Sequence, residues 1–346
     1  PIAAACTGAL FYLPGAVPEY EEAPNDGNLF ATIPYLFERR GPCFAEKLVG
    51  EFAIILWDGR HNRMYCIRDH LGTRSLYYAS SGDYVVASNT IGSLFAVGGV
   101  AKEIRPDAPG YFSASKAICP PDTMFRHARA VRPSTVVGLS TGNSTETDYW
   151  HLADVDVDLA RSAESFREEM IETVKSAVSC RVPRGMPYGT VCSGGVDSSA
   201  VSSLLCGEQR DSRLDGYSII FGEHEFSDRD LQEELIREFP IDLHSRELDA
   251  EDFRHNLCGA VAALDGPVND TAMAGMFAVH ALAARDGKAV VFEGEGPDEI
   301  FPAGNTHGER EILRMRVLSA IMRPWGRLLW PHLPVGTGLW AKACRY

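Results

Sequence analysis

Val191-Cys192-Ser193-Gly194-Gly195-Val196-Asp197-Ser198-Ser199 is the stretch on which the reading turns. An apolar, strand-like approach from Tyr188 to Cys192 leads into it, and an apolar, helix-like run from Val196 to Leu205 leads out. Two adjacent glycines let the backbone turn sharply and come close to a ligand. The hydroxyls of Ser193, Ser198 and Ser199 flank them, and the N–H groups of the turn and of the following helix are expected to converge on one point. Unsatisfied N–H groups and the helix macrodipole make such a point a site for phosphate. Asp197 would repel a bare anion, so its presence calls for Mg2+ bridging carboxylate and phosphates. A Gly-Gly pair after a strand often serves only as a turn; the serines and the aspartate around it make this one specific. No Gly-Lys-Ser/Thr follows, which separates it from the Walker loop.

Around this stretch the pattern alternates helix and strand. A helix is expected from Ala163, with Phe166, Met170, Ile171, Val174, Ala177 and Val178 on one face, and strands at Tyr217–Phe221, Ile241–His244 and Lys288–Glu293. Helices fall near 228–239, 250–264 and 272–285. Alternation of this kind specifies a parallel sheet covered by helices on both faces, and ligands then sit beyond the carboxyl ends of the strands. Glu293-Gly294-Glu295-Gly296-Pro297-Asp298-Glu299-Ile300-Phe301 follows the last of these strands and emerges at the same edge if the strands are parallel. Clustered acids are ordinarily a solvated turn. Beside a triphosphate they require metal, and Asp197 with Asp298 is the expected Mg2+ pair.

Residues 1 to about 100 read differently. Short apolar or aromatic runs at Ala9–Leu13, Phe52–Trp57, Arg63–Ile67, Ser75–Tyr78 and Tyr84–Ala87 are separated by turn signals such as Asp58-Gly59 and His70-Leu71-Gly72, so this part is mostly β. One helix is expected at Leu29–Arg39. Residues 100 to 150 are punctuated by prolines and read as a connecting region. The boundaries expected are 1–105 for the front domain, 106–152 for the linker and 153–346 for the second domain. A formal net charge of −14 argues against a nucleic-acid or membrane surface. Nine cysteines without a Cys-x-x-Cys pair fit reduced thiols in a cytoplasmic protein better than a disulfide framework or a zinc site.

As strings, several segments carry a family likeness. Ser193 to Ser199 resembles the pyrophosphate loop of the ATP pyrophosphatases. Gly50-Glu51-Phe52-Ala53, then Arg68-Asp69-His70-Leu71-Gly72-Thr73-Arg74-Ser75-Leu76-Tyr77-Tyr78, resemble the later half of the glutamine amidotransferase (N-terminal nucleophile) domain of the asparagine synthetase family. Tyr149-Trp150 resembles the end of that family's linker, and Asp265-Gly266-Pro267 and Gly294-Glu295-Gly296-Pro297-Asp298-Glu299-Ile300-Phe301 resemble its later motifs. The likeness covers about residues 45 to 305. It implies two domains: an Ntn-like α+β domain of antiparallel sheets, and an α/β parallel-sheet domain of the ATP pyrophosphatase type. It further implies that Ser193, Gly194, Gly195, Asp197, Ser198 and Ser199 hold pyrophosphate, that Asp197 and Asp298 hold Mg2+, that Glu295 faces the acyl-adenylate and accepts the amine proton, and that Ile219 and Phe221 flank adenine.

Departures from the family pattern shape the expected activity. A glutaminase of this type needs cysteine as its first residue, whereas the sequence starts Pro1-Ile2-Ala3 and the nearest cysteine, Cys6, reads as a buried small hydrophobe. The glutamine-holding segments are not recognisable, so the front domain is expected to be degenerate. The second domain is expected to be shortened, and Lys342 in the basic tail is not assigned the family's phosphorus-stabilising lysine role. The expected protein is an ATP- and Mg2+-dependent ligase that activates a small-molecule or peptide carboxylate as acyl-adenylate for attack by ammonia or an amine donor. The alternatives are an intramolecular cyclase of the β-lactam synthetase or lasso peptide cyclase type, and a nucleotide-binding half-enzyme, with a homodimer or a partner chain completing the site.

Overall fold

The computed structural model describes residues 2–11, 29–80, 83–97, 99–156, 158, 160–209, 212–221, 229–267 and 270–300, with the side chains of 229, 298 and 299 outside the description. Lys342 and the basic tail lie outside it too. The described residues fall into two compact units: those within Pro1–Pro109, Ile118–Arg181 and Ala263–Pro267, and those within Gly110–Ala117, Val182–Ala262 and Val268–Tyr346.

In the first unit, strands β1 (Ile2–Leu10), β2 (Gly50–Asp58), β3 (Arg63–Arg68), β4 (Tyr77–Ser80), β5 (Val85–Ser88), β6 (Arg129–Ala130), β7 (Thr135–Ser140) and β8 (Asn143–Asp148) form two antiparallel sheets, ordered β1-β2-β3-β7-β8 and β5-β4-β6. Helix α1 (Ile33–Arg40), entered through a 3-10 turn at Leu29–Thr32, buries Ile33, Leu36 and Phe37 against Phe44, Phe52, Ile54, Leu56 and Ile67. Cys6 pairs with Ile54 in the middle of β1 and packs against this core; burial pushes its thiol up to about 11. Residues 135–148, which the sequence reading places in the connecting stretch, are the hairpin β7–β8 of the larger sheet. The apolar run Val136, Val137 and Leu139 is buried there.

The Arg68-Asp69 turn is built from within. Asp69, 1% exposed, accepts the N–H groups of Leu71 (3.2 Å), Thr73 (2.9 Å) and Arg74 (3.0 Å) on its carboxylate. Arg68 donates to the carbonyls of Arg74, Val131 and Gly72. After helices α2 (Ile91–Ala96), α3 (Ala108–Ser115) and α4 (Ala163–Ser179), residues of the later motif return to this unit: the Asp265 carboxylate accepts the Ile91 N–H at 2.8 Å at the start of α2.

The second unit is a parallel sheet. Strands β9 (Tyr188–Val191), β10 (Leu214–Phe221), β11 (Ile241–Leu248) and β12 (Val290–Phe292) are ordered β11-β10-β9-β12, every pair parallel. Helices α5 (Val196–Glu208), α6 (Arg229–Glu238), α7 (Ala250–Ala263), α8 (Ala272–Arg285) and a short α9 (Pro297–Ile300) accompany it. Tyr217 packs with Val279 and Ala283 of α8, together with Val191, Ile219 and Val291, which fixes α8 against the sheet. The expectation of antiparallel sheets followed by a parallel α/β sheet is met.

Candidate nucleotide-binding and ligase site

Parallel pairing decides where the two motifs emerge. Strands β9 and β12 are neighbours in register, Val290 opposite Tyr188 and Phe292 opposite Thr190, so the chain leaves both at the same edge. One exit is Ser193-Gly194-Gly195 and the other is Glu293-Gly294-Glu295. The two meet. A Cβ on Gly294 would lie 2.4 Å from the Ser198 nitrogen and 2.5 Å from the Asp197 carbonyl carbon, so the acidic turn rests on the first turn of α5.

The serine turn is organised by its own hydroxyls. Gly194 sits at φ 87°, where a side chain would be strained. The Gly195 N–H donates to Ser193 Oγ at 3.3 Å, Ser198 Oγ donates to the Gly195 carbonyl at 3.2 Å, and the two hydroxyl oxygens are 2.8 Å apart. Ser198 is buried, while Asp197 and Ser199 are half-buried and Ser193 is exposed. The first helical bond runs from Ser199 N–H to the Gly195 carbonyl at 3.0 Å, so the amides of Val196, Asp197 and Ser198 precede the helical ladder, as at any helix start. Together with the macrodipole they make an anion-favouring point at a strand end.

Two supports were not legible in the sequence. Gln232 of α6, 6% exposed, donates to Ser218 Oγ at 2.9 Å and to the Ser193 carbonyl at 3.4 Å, tying the loop to β10. His280 of α8 pairs through Nε2 with the Glu293 carboxylate. That carboxylate holds the imidazole above its usual range, against a desolvation that pushes it down. No spacing rule links a glutamine on one helix or a histidine on another to a loop; only the β10–β9–β12 order brings them together.

Glu295 is exposed on the turn, and Asp298 lies on α9, its side chain outside the described residues. Ile219 packs against the Tyr217 cluster, whereas Phe221, 43% exposed, meets Phe253 edge-on with ring centroids 6.2 Å apart. At the opposite end of the sheet, Lys288 and His244 pair with Asp215 and hold its carboxyl below the usual range in spite of partial burial. Among the described residues no group of three His, Cys, Asp or Glu could cage a metal. Magnesium held by one or two carboxylates and phosphate oxygens needs no cage. The Asp197 carboxylate, on the helix turn that carries the anion-favouring amides, offers that donor set.

Comparison with known proteins finds two family models that match the chain. The asparagine synthase family model matches residues 169–340, and the glutamine amidotransferase domain model matches residues 31–150. The chain belongs to the asparagine synthetase family. It is 26% identical over 278 residues to asparagine synthetase [glutamine-hydrolyzing] 1 of Bacillus subtilis, covering 80% of this chain and 43% of that protein. It is 26% identical over 320 residues to the amidase chyE of Penicillium rubens, covering 86% and 45%. With a putative asparagine synthetase [glutamine-hydrolyzing] 2 of Methanocaldococcus jannaschii it shares 25% over 276 residues, covering 79% and 53%. The chain thus spans about half, or less, of the length of these relatives.

Proposed function

We propose that the protein is an ATP-dependent ligase that forms amide bonds. A substrate carboxylate attacks the α-phosphorus of ATP, giving acyl-adenylate and pyrophosphate, and an amine or ammonia then displaces AMP. The observation that carries this reading is the seating of Gly294 on Asp197 and Ser198, which sets the Glu295 turn beside the anion-favouring start of α5. Ser193, Gly194, Gly195, Ser198 and Ser199 would bind the departing pyrophosphate, each charge-assisted hydrogen bond contributing about 1.5–3 kcal/mol. Asp197 and Asp298 would hold Mg2+, which supplies charge neutralisation at the phosphates when bound. Glu295 would take the proton released by the attacking amine, and Phe221 with Ile219 would flank the adenine.

The nitrogen is proposed to arrive as ammonia or as a substrate amine, without glutamine hydrolysis at Cys6. Activated cysteines carry lowered pKa values; burial in β1 raises this one. Free thiols throughout the described residues fit a cytoplasmic setting, and no helix among them is long and apolar enough to cross a membrane.

Pyrophosphate release tests the reading. With Mg·ATP, a panel of carboxylates and an ammonium or amine donor, release is expected with at least one acid, and Asp197→Ala is expected to abolish it. No release with any acid, together with nucleotide binding unchanged in Asp197→Ala, overturns it.

A further inference from the structure

The Glu293 carboxylate is the first group of the acidic turn and takes no role in the chemistry proposed above. It is 22% exposed at the end of β12, and the side chain it meets comes from another element, His280 of α8. The next residue, Gly294, is the one at which a Cβ would run into the backbone of Asp197 and Ser198. Helix α8 is itself fixed to the sheet through Val279 and Ala283, so His280 stands on a rigid support, one position from a core residue.

We infer that His280 is a positioning residue: through Glu293 it fixes the Gly294-Glu295 turn against the first turn of α5. The inference rests on the proposed ligase reading only for its benefit to catalysis; the mechanical coupling stands on this unit alone. Its pH dependence follows. Glu293 is the charged side chain among the described residues that acts on His280, and it raises the imidazole pKa. A raised folded-state pKa means that the stabilisation is fully present below the ordinary value of about 6.5 and is lost as pH rises through the folded-state value. The turn is therefore held more tightly at pH 6 than at pH 8.

Amide hydrogen exchange over residues 290–298 of the full chain reads the coupling without any ligand. After correction for intrinsic rates, His280→Ala is expected to speed exchange at pH 6 by about twofold to fivefold, the range of a partly exposed ion pair. His280→Lys, a permanent cation, is expected to restore the protection and remove its difference between pH 6 and 8. The His280 imidazole, followed by NMR, is expected to titrate above 6.5 and to fall back in Glu293→Gln. Equal exchange in wild type and His280→Ala at both pH values overturns the inference, as does an imidazole midpoint that Glu293→Gln leaves in place. A nucleotide arm separates the two readings: adding Mg·ATP should slow exchange of the same peptide in the wild type. Its failure removes the ligase reading and leaves the comparison of variants intact.

Discussion

Gly294 has room for a hydrogen and nothing larger, and what blocks it is backbone rather than a flexible side chain. Gly294→Ala must lift the acidic turn off the start of α5, and overpacking of this kind costs about 1–3 kcal/mol. Titration with a fluorescent ATP analogue is expected to show affinity lowered by about fivefold to a hundredfold. Gly266→Ala, whose Cβ meets nothing, is the control and should leave affinity unchanged. Asp69 offers a test in the other unit. Asp69→Ala leaves three backbone donors without their acceptor, and urea unfolding is expected to show a loss of about 2–4 kcal/mol. Both residues stand in strings that the sequence displays openly, because chemistry confined to one loop is written in consecutive letters. Gln232 and His280 were illegible for the opposite reason: each acts on a loop far away in the chain, and nothing local to either marks it.

Strands bounded by sharp turns and filled with large apolar residues, such as β2 and β3, are legible at the level of the element. β1 is not. Ala3, Ala4, Ala5, Gly8 and Ala9 have little β preference, and the segment is a strand because β2 pairs with it from Ile2 opposite Asp58 to Leu10 opposite Gly50. The expected strand at Ala9–Leu13 catches only its end, and Leu13 lies outside the described residues. β8, Asn-Ser-Thr-Glu-Thr-Asp, carries no apolar pattern at all, since it lies at the margin of its sheet and is mostly exposed. Helix α4 shows the converse limit. Periodicity put Phe166, Met170, Ile171, Val174, Ala177 and Val178 on one face, yet only Val178 is buried and Phe166 is 52% exposed; a period defines a face, not what covers it. In α1 the face is covered, and Leu36→Ala, removing a side chain 1% exposed, should lower stability by about 2–5 kcal/mol in a denaturant titration. The β2–β3 hairpin adds an acid sensitivity. Arg60 and His61 hold the Asp58 carboxyl below its usual range. Its contribution is present above the unfolded value of about 3.9 and disappears as pH falls through the lower folded value. Melting curves of wild type and Asp58→Asn should therefore lie apart at pH 7 and converge in strong acid.

For the whole molecule, the two units have separate cores, one gathered around α1 and the larger antiparallel sheet, the other around Tyr217 and α8. Each unit also contains a fully buried thiol. Cys66 of β3 and Cys192 after β9 are both 0% exposed, and burial pushes them up to about 12 and about 11. Cys43 and Cys119 in the first unit and Cys258 in the second are exposed. The chain therefore contains two native clocks with fast internal standards. Under a slow alkylating agent, modification of Cys66 times the opening of the first unit and modification of Cys192 times that of the second, each against an exposed neighbour that reacts at once. A mass spectrum taken along a urea series would show whether the units open together or one at a time, and whether added Mg·ATP delays the opening of either.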